Sequence, residues 1–358
     1  MEKKKLLLIA TGGTIASGYT EEGLAPQIAA EDLLSYVEEH REFCQVSVTQ
    51  PFGLDSTNIC GRHWLALAAE IEKNYEAYDG FVICHGTDTM AFTAAALSYL
   101  VQNSRKPVVI TGSQKPIDLP VTDARTNLLD SLRFASDGRA HGVNIVFGGN
   151  VIAGTRAKKE RSKSYNAFSS INYPSVAVIQ DGRVLFYIDD KAPGRDEVTF
   201  YHALNERVLL LKLIPGMDGG VLNRLFPWYD GVIIEAFGVG GFPEYGEHPF
   251  YPEIRRWIDG GKVVMLATQV THEGSDMEVY RVGKTIKADF QLMEAYDMTL
   301  EATVTKTMWA LAQSRDRGEF RRLFYRSVNH DILFTPERQN AADANREGNE
   351  GKREGTQG

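Results

Sequence analysis

Cysteine is scarce in this chain of 358 residues, which contains only Cys44, Cys60 and Cys84. An odd number without any C-x-x-C spacing argues against a disulfide framework and favours a reducing, cytoplasmic setting. Long apolar runs are missing too, so the sequence predicts no membrane-spanning helix. Lysines at positions 3 to 5 precede an apolar run that is too short for a secretory signal, and we expect that run to belong to the fold.

The chain also lacks an excess of positive charge. Its formal net charge is −8 at pH 7, which argues against general binding to nucleic acids or anionic membranes, because both attract basic surfaces. Apolar residues make up 43% of the sequence and charged residues 24%, as in ordinary globular proteins. A chain of this length is expected to form two domains rather than a single core.

Nucleotide-binding patterns are absent from the glycine turn near the start of the chain. The apolar run 6–10 ends in Thr11, Gly12, Gly13 and Thr14, without a Gly-Lys-Ser/Thr or a G-x-G-x-x-G pattern. The run predicts a buried strand of a parallel sheet, and the glycines predict a tight turn that lets the backbone approach a ligand. This turn is the first candidate site, with a purely structural turn as the alternative.

Strands that end in polar turns alternate with helices through the first half of the chain. We predict strands at 6–10, 46–48, 80–84, 107–111 and 143–147, and helices at 29–37, 64–75, 91–101 and 123–135. This alternation is typical of βαβ units and a parallel sheet. The predicted fold class is therefore α/β, with a doubly wound amino-terminal domain on a flavodoxin-like parallel sheet.

The second half repeats this alternation on a smaller scale. Strands are predicted at 208–213, 231–235 and 262–267, and helices at 252–259 and 299–312. We expect a first domain at 1–190, a linker at 191–207 and a smaller α/β domain at 208–335. Residues 336–358 contain no large apolar side chain, and this composition predicts a disordered tail.

Hydroxyl groups and a carboxylate collect at three predicted strand ends. They are Thr14, the pair Ser56 and Thr57, and the run Thr87, Asp88 and Thr89. Acyl transfer needs a nucleophilic oxygen, a base for its proton and donors for the oxyanion. A lysine desolvated beside Asp88 can be that base, because burial lowers the pKa of an amine. The simpler alternatives are helix capping by the threonines and a helix-dipole role for the carboxylate.

Two of these strand ends carry extended motifs. They read Thr11-Gly12-Gly13-Thr14-Ile15-Ala16 and His85-Gly86-Thr87-Asp88-Thr89-Met90. Together they resemble the two signatures of the bacterial-type L-asparaginase family, in its cytoplasmic type I branch. Segments 110–114, 122–128, 237–240 and 298–303 are also similar, so the resemblance extends over most of residues 4–330.

The resemblance implies roles for several residues. Thr14 corresponds to a first nucleophile, and Thr87 and Asp88 correspond to a second catalytic group that includes a lysine. The family's Arg-x-x-Lys segment indicates Lys159 as that lysine. The neighbouring alternatives are Lys158 and Lys163.

Substrate-binding residues also follow from the resemblance. Ser56 corresponds to the residue that binds the substrate carboxylate, with Thr57 beside it, and Asp88 would also bind the substrate ammonium. Tyr19 lies in the lid segment after the first threonine, where some members carry a catalytic tyrosine at the position of Leu24. Tyr19 is therefore the candidate lid residue, although it does not stand at the position of that tyrosine.

The implied activity is hydrolysis of L-asparagine to L-aspartate and ammonia through a threonyl acyl-enzyme, without a metal or organic cofactor. Its partners would be this small-molecule substrate and further copies of the chain, in a homodimer or homotetramer. A neighbouring subunit could contribute an acidic group from Glu273, Asp276, Glu278 or Glu294. Glu235 and Val270 stand where allosteric type I enzymes carry arginine and cysteine, so we expect no allosteric asparagine site.

Two other functions fit the same motifs. One is the ammonia-generating subunit of a tRNA-dependent amidotransferase, which normally carries an extra domain before the Thr-Gly-Gly-Thr turn; only ten residues precede it here. The other is a non-catalytic amino-acid-binding protein, since a fold alone does not determine activity. The presence of both Thr14 and Thr87 argues against a pure binding protein.

Overall fold

The computed structural model describes residues 3–20, 23–26, 28–194, 197–243, 249–279 and 292–335. Its strands in chain order are β1 (Lys4–Ala10), β2 (Ser17–Thr20), β3 (Gly23–Pro26), β4 (Cys44–Thr49), β5 (Gly80–Cys84), β6 (Val101–Gln102), β7 (Pro107–Thr111), β8 (Gly142–Phe147), β9 (Asn150–Ala153), β10 (Ala157–Lys159), β11 (Phe168–Ser170), β12 (Ala177–Gln180), β13 (Arg183–Phe186), β14 (Thr199–Phe200), β15 (Val208–Lys212), β16 (Gly231–Ala236), β17 (Val263–Thr268) and β18 (Met293–Glu294). Its helices are α1 (Gly61–Asn74), α2 (Met90–Leu100), α3 (Ala124–Ser136), α4 (Gly220–Leu225), α5 (Phe250–Asp259), α6 (Leu300–Gln313) and α7 (Arg317–Tyr325).

The larger sheet has eight described strands in the order β13-β12-β9-β8-β7-β5-β1-β4. Its strands β4, β1, β5, β7 and β8 are parallel to one another. The remaining three extend it in antiparallel pairing. Because β1 lies between β4 and β5, the parallel part has the flavodoxin-like order. Ligands in such sheets bind beyond the carboxyl ends of the strands at this reversal of order, which is where β1 and β5 end.

Apolar sequence explains the central place of these strands. β5 and β7 are buried at every residue, and β1 is buried from Leu6 onward. Helices α1 and α2 pack on one face of the sheet and α3 on the other, forming two apolar layers. Burying one large aliphatic side chain contributes about 1.5–3 kcal/mol, so these layers hold the strand ends in fixed positions.

The smaller domain is built on a parallel sheet in the order β15-β16-β17-β18. Helices α4 and α5 cover one face, and α6 and α7 cover the other. The predicted two-domain α/β fold is therefore confirmed, with the larger sheet mixed rather than purely parallel.

Helix α2 contacts both domains. Its residues other than Phe92 are buried, because one side lies in the core of the larger sheet and the other packs on α6. Across this second contact the rings of Tyr99 and Trp309 stack with their centroids 6.0 Å apart. The helix that follows Thr87 and Asp88 is thus fixed from both sides.

One predicted helix is wrong in type. Residues 29–37 form a 3₁₀ helix, Ala30–Tyr36, and a second one follows at Glu38–Glu42. No side chain caps the amides at Ala29, and the segment turns again at once, so it is too short and irregular to establish a full α-helical ladder.

Some predictions lie wholly or partly outside the described residues. These are the tail 336–358 and residues 195 and 196 of the expected linker, and the domain boundaries themselves remain predictions. In the described part of the chain, no helix combines the length and apolar character needed to cross a membrane.

Candidate active site

Glycines bring three strand-end loops into backbone contact. Gly12 and Gly13 follow β1 with φ of 96° and 82°, a region that side chains other than glycine rarely adopt. A Cβ on Gly12 would stand 2.7 Å from the Leu54 nitrogen, and one on Gly13 would stand 2.5 Å from the Gly86 nitrogen. Gly86 in turn leaves no room for a Cβ against Ser56, at 2.7 Å from its Oγ. The loops after β1, β4 and β5 therefore converge through positions that must be glycine.

The two threonines of the first turn are placed differently. Thr11 is fully buried, and its hydroxyl donates a hydrogen bond of 2.9 Å to the Cys84 carbonyl, so it ties β1 to β5. Thr14 begins a 3₁₀ turn, Thr14–Ala16, and is only partly buried. Its hydroxyl makes no hydrogen bond to the residues that the structure describes, which leaves it available to a ligand.

Thr87, Asp88 and Lys159 meet as one hydrogen-bonded group. The Lys159 Nζ donates to the Thr87 Oγ1 at 2.8 Å and to the Asp88 Oδ1 at 2.6 Å. Thr87 is 6% exposed, whereas the Asp88 side chain is 60% exposed and that of Lys159 is 17% exposed. A half-buried amine thus lies between a buried hydroxyl and a carboxylate that faces solvent. This arrangement can transfer a proton from the hydroxyl.

The alternation of side chains along β10 separates the candidate lysines. Lys158 precedes Lys159 on the strand and points to the opposite face, where its Nζ lies 3.4 Å from the Thr271 Oγ1. Lys163 is exposed in the loop after β10. Among the three lysines, only Lys159 reaches Thr87 within the described residues.

Gln114 is a neighbour of Thr87 that the sequence analysis did not single out. The Thr87 hydroxyl lies 3.4 Å from the Gln114 Oε1, and the Gln114 Nε2 donates to the Ser164 carbonyl at 3.1 Å. The Gln114 backbone amide donates to both carboxylate oxygens of Asp123, at 3.1 and 2.9 Å. Burial raises the pKa of Asp123, although the hydrogen bonds from the Gln114 amide act to lower it. The sequence signal for this contact was that Gln114 and Asp123 lie in two of the family-like segments, 110–114 and 122–128.

Ser56 and Thr57 have separate surroundings. Ser56 is buried beside Gly86, and its carbonyl accepts a hydrogen bond of 2.7 Å from the Thr89 hydroxyl. The exposed Thr57 donates to the Asp55 Oδ1 at 2.7 Å, and this hydroxyl is the main cause that lowers the pKa of Asp55. Ser56 thus lies among the converging loops, whereas the Thr57 hydroxyl is committed to its neighbour.

The helix-capping alternative does not describe Thr89. Thr89 is the cap residue of α2, yet no side-chain cap hydrogen bond is formed there. Its hydroxyl instead joins the start of α2 to the loop that carries Ser56.

His85 has a structural place behind the site. Its Nδ1 lies 2.7 Å from the Gly86 carbonyl, which can only accept, so Nδ1 carries the proton. Its Nε2 then accepts from the Thr93 hydroxyl at 2.9 Å, and that hydroxyl accepts from the Trp64 indole. Complete burial lowers the pKa of His85 to about 4. The neutral ring orients the Gly86 peptide that precedes Thr87.

Tyr19 and Leu24 are opposite each other in the hairpin β2–β3 that follows Thr14. Residues 21 and 22 at its turn lie outside the described residues, as do the side chains of Tyr19 and Leu24. The catalytic role of Tyr19 at the lid therefore stays a prediction.

Comparisons with known protein families show which family this chain belongs to. A model described as "Asparaginase, N-terminal" matches residues 5–192, and one described as "Glutaminase/Asparaginase C-terminal domain" matches residues 207–324. The chain belongs to the asparaginase family. The chain is 37% identical to an L-asparaginase of Thermococcus kodakarensis, over 92% of this chain and 99% of that protein.

Other relatives of this asparaginase-family chain carry two kinds of name. L-asparaginase 1 of Escherichia coli K12 is 31% identical over 93% of this chain and 99% of its own length. A glutamyl-tRNA(Gln) amidotransferase subunit of Pyrococcus furiosus is 32% identical over 92% of this chain and 77% of its own length. The solved thermostable L-asparaginase of T. kodakarensis superposes with a TM-score of 0.86, covering 92% of this chain and all of that one.

One of the four acidic candidates for an intersubunit contact in this asparaginase-family chain, Glu294, lies inside its own domain. Glu294 is fully buried, and its carboxylate accepts from the Met277 amide at 3.3 Å. It cannot reach a neighbouring subunit, so that expectation is wrong for Glu294. Asp276 is partly buried, whereas Glu273 and Glu278 are exposed.

Glu235 and Val270 both line a small cavity beside Lys158. The Glu235 Oε1 forms an ion pair of 3.1 Å with the Lys212 Nζ. The expectation of no allosteric asparagine site remains a prediction. The described residues contain no cluster of three or more His, Cys, Asp or Glu side chains that could hold a metal ion.

Proposed function

We propose that this chain hydrolyses the side-chain amide of L-asparagine to L-aspartate and ammonia. The observation that carries the proposal is the pair of hydrogen bonds from the Lys159 Nζ to Thr87 and Asp88, at 2.8 and 2.6 Å, in a member of the asparaginase family. The high-coverage match to named L-asparaginases supports the choice of substrate.

The proposed reaction divides one difficult step into two. The Thr14 Oγ1 attacks the side-chain amide carbon and gives up its proton. A C–O bond forms, and the C–N bond breaks as the leaving NH2 group takes up that proton and departs as ammonia. Water then hydrolyses the resulting ester, releasing aspartate and restoring the Thr14 hydroxyl. Thr14 suits the first role because its hydroxyl is partly exposed and uncommitted within the described chain.

Thr87, Lys159 and Asp88 would move the protons in this scheme. In the second step the Thr87 Oγ1 takes a proton from the attacking water while a neutral Lys159 amine accepts the proton of Thr87 across 2.8 Å, and Asp88 stabilises the ammonium that forms. Lys159 then returns this proton, by way of Thr87, to the Thr14 oxygen as the ester bond breaks. Tyr19, on the hairpin next to Thr14, is the candidate that accepts the Thr14 proton. The proposed scheme uses only side-chain groups of this chain and includes no metal or organic cofactor.

Substrate recognition is assigned to two loops. Ser56, buried where the loops converge, is the candidate that binds the substrate α-carboxylate, with Thr57 beside it. Asp88 keeps a largely exposed carboxylate, which can bind the α-ammonium while it also contacts Lys159. Ser56 is the stronger carboxylate binder of the pair, because the Thr57 hydroxyl is already bonded to Asp55.

Assembly and location follow from the same proposal. We infer a homodimer or homotetramer in which Glu273, Asp276 or Glu278 of one subunit approaches the ammonium site of another. The cytoplasm is the proposed compartment, because the three cysteines are free thiols and two of them are buried.

The amidotransferase subunit is the alternative, favoured by the P. furiosus relative at 32% identity. Both functions release ammonia from an amide, so the test must separate them. Purified protein is incubated with asparagine, with glutamine and with glutamyl-tRNA(Gln) plus glutamine, and free ammonia is measured. Rapid release from asparagine alone supports the asparaginase. Release that requires the tRNA supports the alternative, and no release under any condition supports a binding protein.

A further inference from the structure

Lys159 stands on a support that is weak by itself. Strand β10 has three residues and pairs only with β11 among the described strands. An isolated two-stranded ribbon is marginally stable in water. The Lys159 amine must nevertheless stay within hydrogen-bond distance of Thr87. Contacts outside the two-stranded ribbon are therefore needed to fix β10.

The residues just before β10 are bonded to the second domain. The Arg156 side chain is fully buried, and its guanidinium donates to the Asp297 carbonyl at 2.7 Å, to the Asp297 Oδ2 at 2.8 Å and to the His330 carbonyl at 2.5 Å. Thr155 donates to the Asn329 carbonyl at 2.5 Å, and its own carbonyl accepts from Thr299 at 2.8 Å. Every contact in this set crosses from the start of β10 to residues 297–330.

Asp297 is itself held in place on its far side. Its carboxylate accepts from the backbone amides of Leu333 and Phe334 at 3.1 Å, and its carbonyl also accepts from Asn172 at 3.0 Å. The backbone carbonyl of Arg156 accepts from the Ile171 amide at 2.8 Å, next to β11. One arginine therefore connects the open end of the ribbon to a fixed carboxylate.

We propose that Arg156 is a positioning residue: its ion pair with Asp297 fixes the start of β10 and thereby places the Lys159 amine beside Thr87. The inference rests on the proposed role of Lys159. Only the planar guanidinium of an arginine can donate to the Asp297 carbonyl, the Asp297 carboxylate and the His330 carbonyl together. A lysine at this position keeps the charge but loses this geometry. A displacement of the amine by about 1 Å is enough to lower turnover by about 10²-fold.

The test compares Arg156→Lys with Tyr99→Phe. The control removes another buried hydrogen bond between the domains, from the Tyr99 hydroxyl to the Asp331 Oδ2 at 3.0 Å, and leaves the hydrogen-bond partners of Arg156 unchanged. We expect Arg156→Lys to lower kcat for asparagine by about 10²-fold with KM within about threefold, and Tyr99→Phe to leave kcat near the wild-type value. Asp297→Asn, which retains the shape of the carboxylate, is the second variant if Arg156→Lys does not fold.

A second readout does not depend on activity. Competitive acetylation followed by mass spectrometry gives the reactivity of Lys159 relative to the exposed Lys163 in the same sample. We expect this ratio to rise several-fold in Arg156→Lys and not in Tyr99→Phe. If the wild-type protein releases no ammonia, the proposed function fails while the acetylation ratio still tests Arg156. In an active enzyme, an unchanged kcat or an unchanged ratio in Arg156→Lys overturns the inference.

Discussion

Gly13 lies against Gly86 so closely that a Cβ added to Gly13 would stand 2.5 Å from the Gly86 nitrogen. The residues that follow these two glycines are Thr14 and Thr87. The backbones that carry the two proposed hydroxyl groups are thus held next to each other by a contact that has no room for a side chain.

A methyl group at Gly13 is expected to damage both fold and activity. Gly13→Ala adds a backbone clash to the strain of a positive φ, which alone costs about 1–3 kcal/mol. Gly216 provides the matched control, because it has the same φ of 82° but nothing within 4 Å of an added Cβ. Denaturant unfolding should show a larger loss of stability for Gly13→Ala than for Gly216→Ala, and ammonia release should fall only in the former. Equal losses would show that the contact with Gly86 is unimportant.

Removing either proposed hydroxyl should abolish turnover while the fold survives. We expect Thr14→Ala and Thr87→Ala each to lower kcat for asparagine by about 10³-fold or more, because acyl transfer then lacks a nucleophile or its partner. Thr199→Ala, at an exposed position on β14, should retain full activity. Near-normal turnover in either active-site variant would remove that threonine from the mechanism.

Exchange of the two adjacent lysines of β10 for arginine separates their roles. Lys159→Arg should be inactive, because a guanidinium stays protonated and cannot accept the Thr87 proton. Lys158→Arg should remain active, since Lys158 points to Thr271 on the other face of the strand. Steady-state kinetics on both variants checks this, and the reverse result would assign the base to Lys158.

Acid should destabilise the protein partly through His85. The folded pKa of about 4 lies below the usual 6.5, so the unfolded state binds more protons between these values, and stability is complete above pH 6.5 and falls as pH drops toward 4. A shift of this size corresponds to about 3 kcal/mol. Unfolding free energies measured from pH 4 to 7 should slope less steeply in His85→Gln than in the wild type. Parallel slopes would contradict the buried neutral state.

Truncation should distinguish the tail from the segment before it. Removal of residues after Thr335 is expected to leave melting temperature and activity unchanged, because the tail lacks apolar side chains that could offset its ordering entropy. Removal after Ile332 also takes away the Leu333 and Phe334 amides that bond Asp297, and should lower the melting temperature. A large effect of the shorter truncation would show that the tail docks.

The strands that carry the site were readable from sequence because each is a uniform apolar run. Residues 6–10, 80–84 and 107–111 are buried throughout, and such a run followed by glycine leaves few alternatives to a central strand. The 3₁₀ segment at Ala30–Tyr36 was misread because its apolar spacing suits either helix type, and the missing cap decided between them.

Roles that depend on distant partners could not be read in the same way. In the sequence, Arg156 is one of several basic residues and looks like part of a solvated cluster. Its burial depends on Asp297, which is 141 positions away along the chain. Gln114 likewise gains its place beside Thr87 only through the tertiary contacts of Asp123 and Ser164. The burial of Glu294 was missed for the same reason, since its bond to the Met277 amide exists only in the folded chain.

The ion pair of Arg156 with a residue late in the chain has a consequence for synthesis. Asp297 supplies the carboxylate for this buried cation, and it belongs to the last part of the described chain. A nascent polypeptide that has left the ribosome only as far as β14 already contains Thr14, Thr87, Asp88 and Lys159, but its Arg156 has no counter-charge. All of the proposed catalytic residues are therefore synthesised well before the residue that pairs with Arg156 and fixes the position of Lys159.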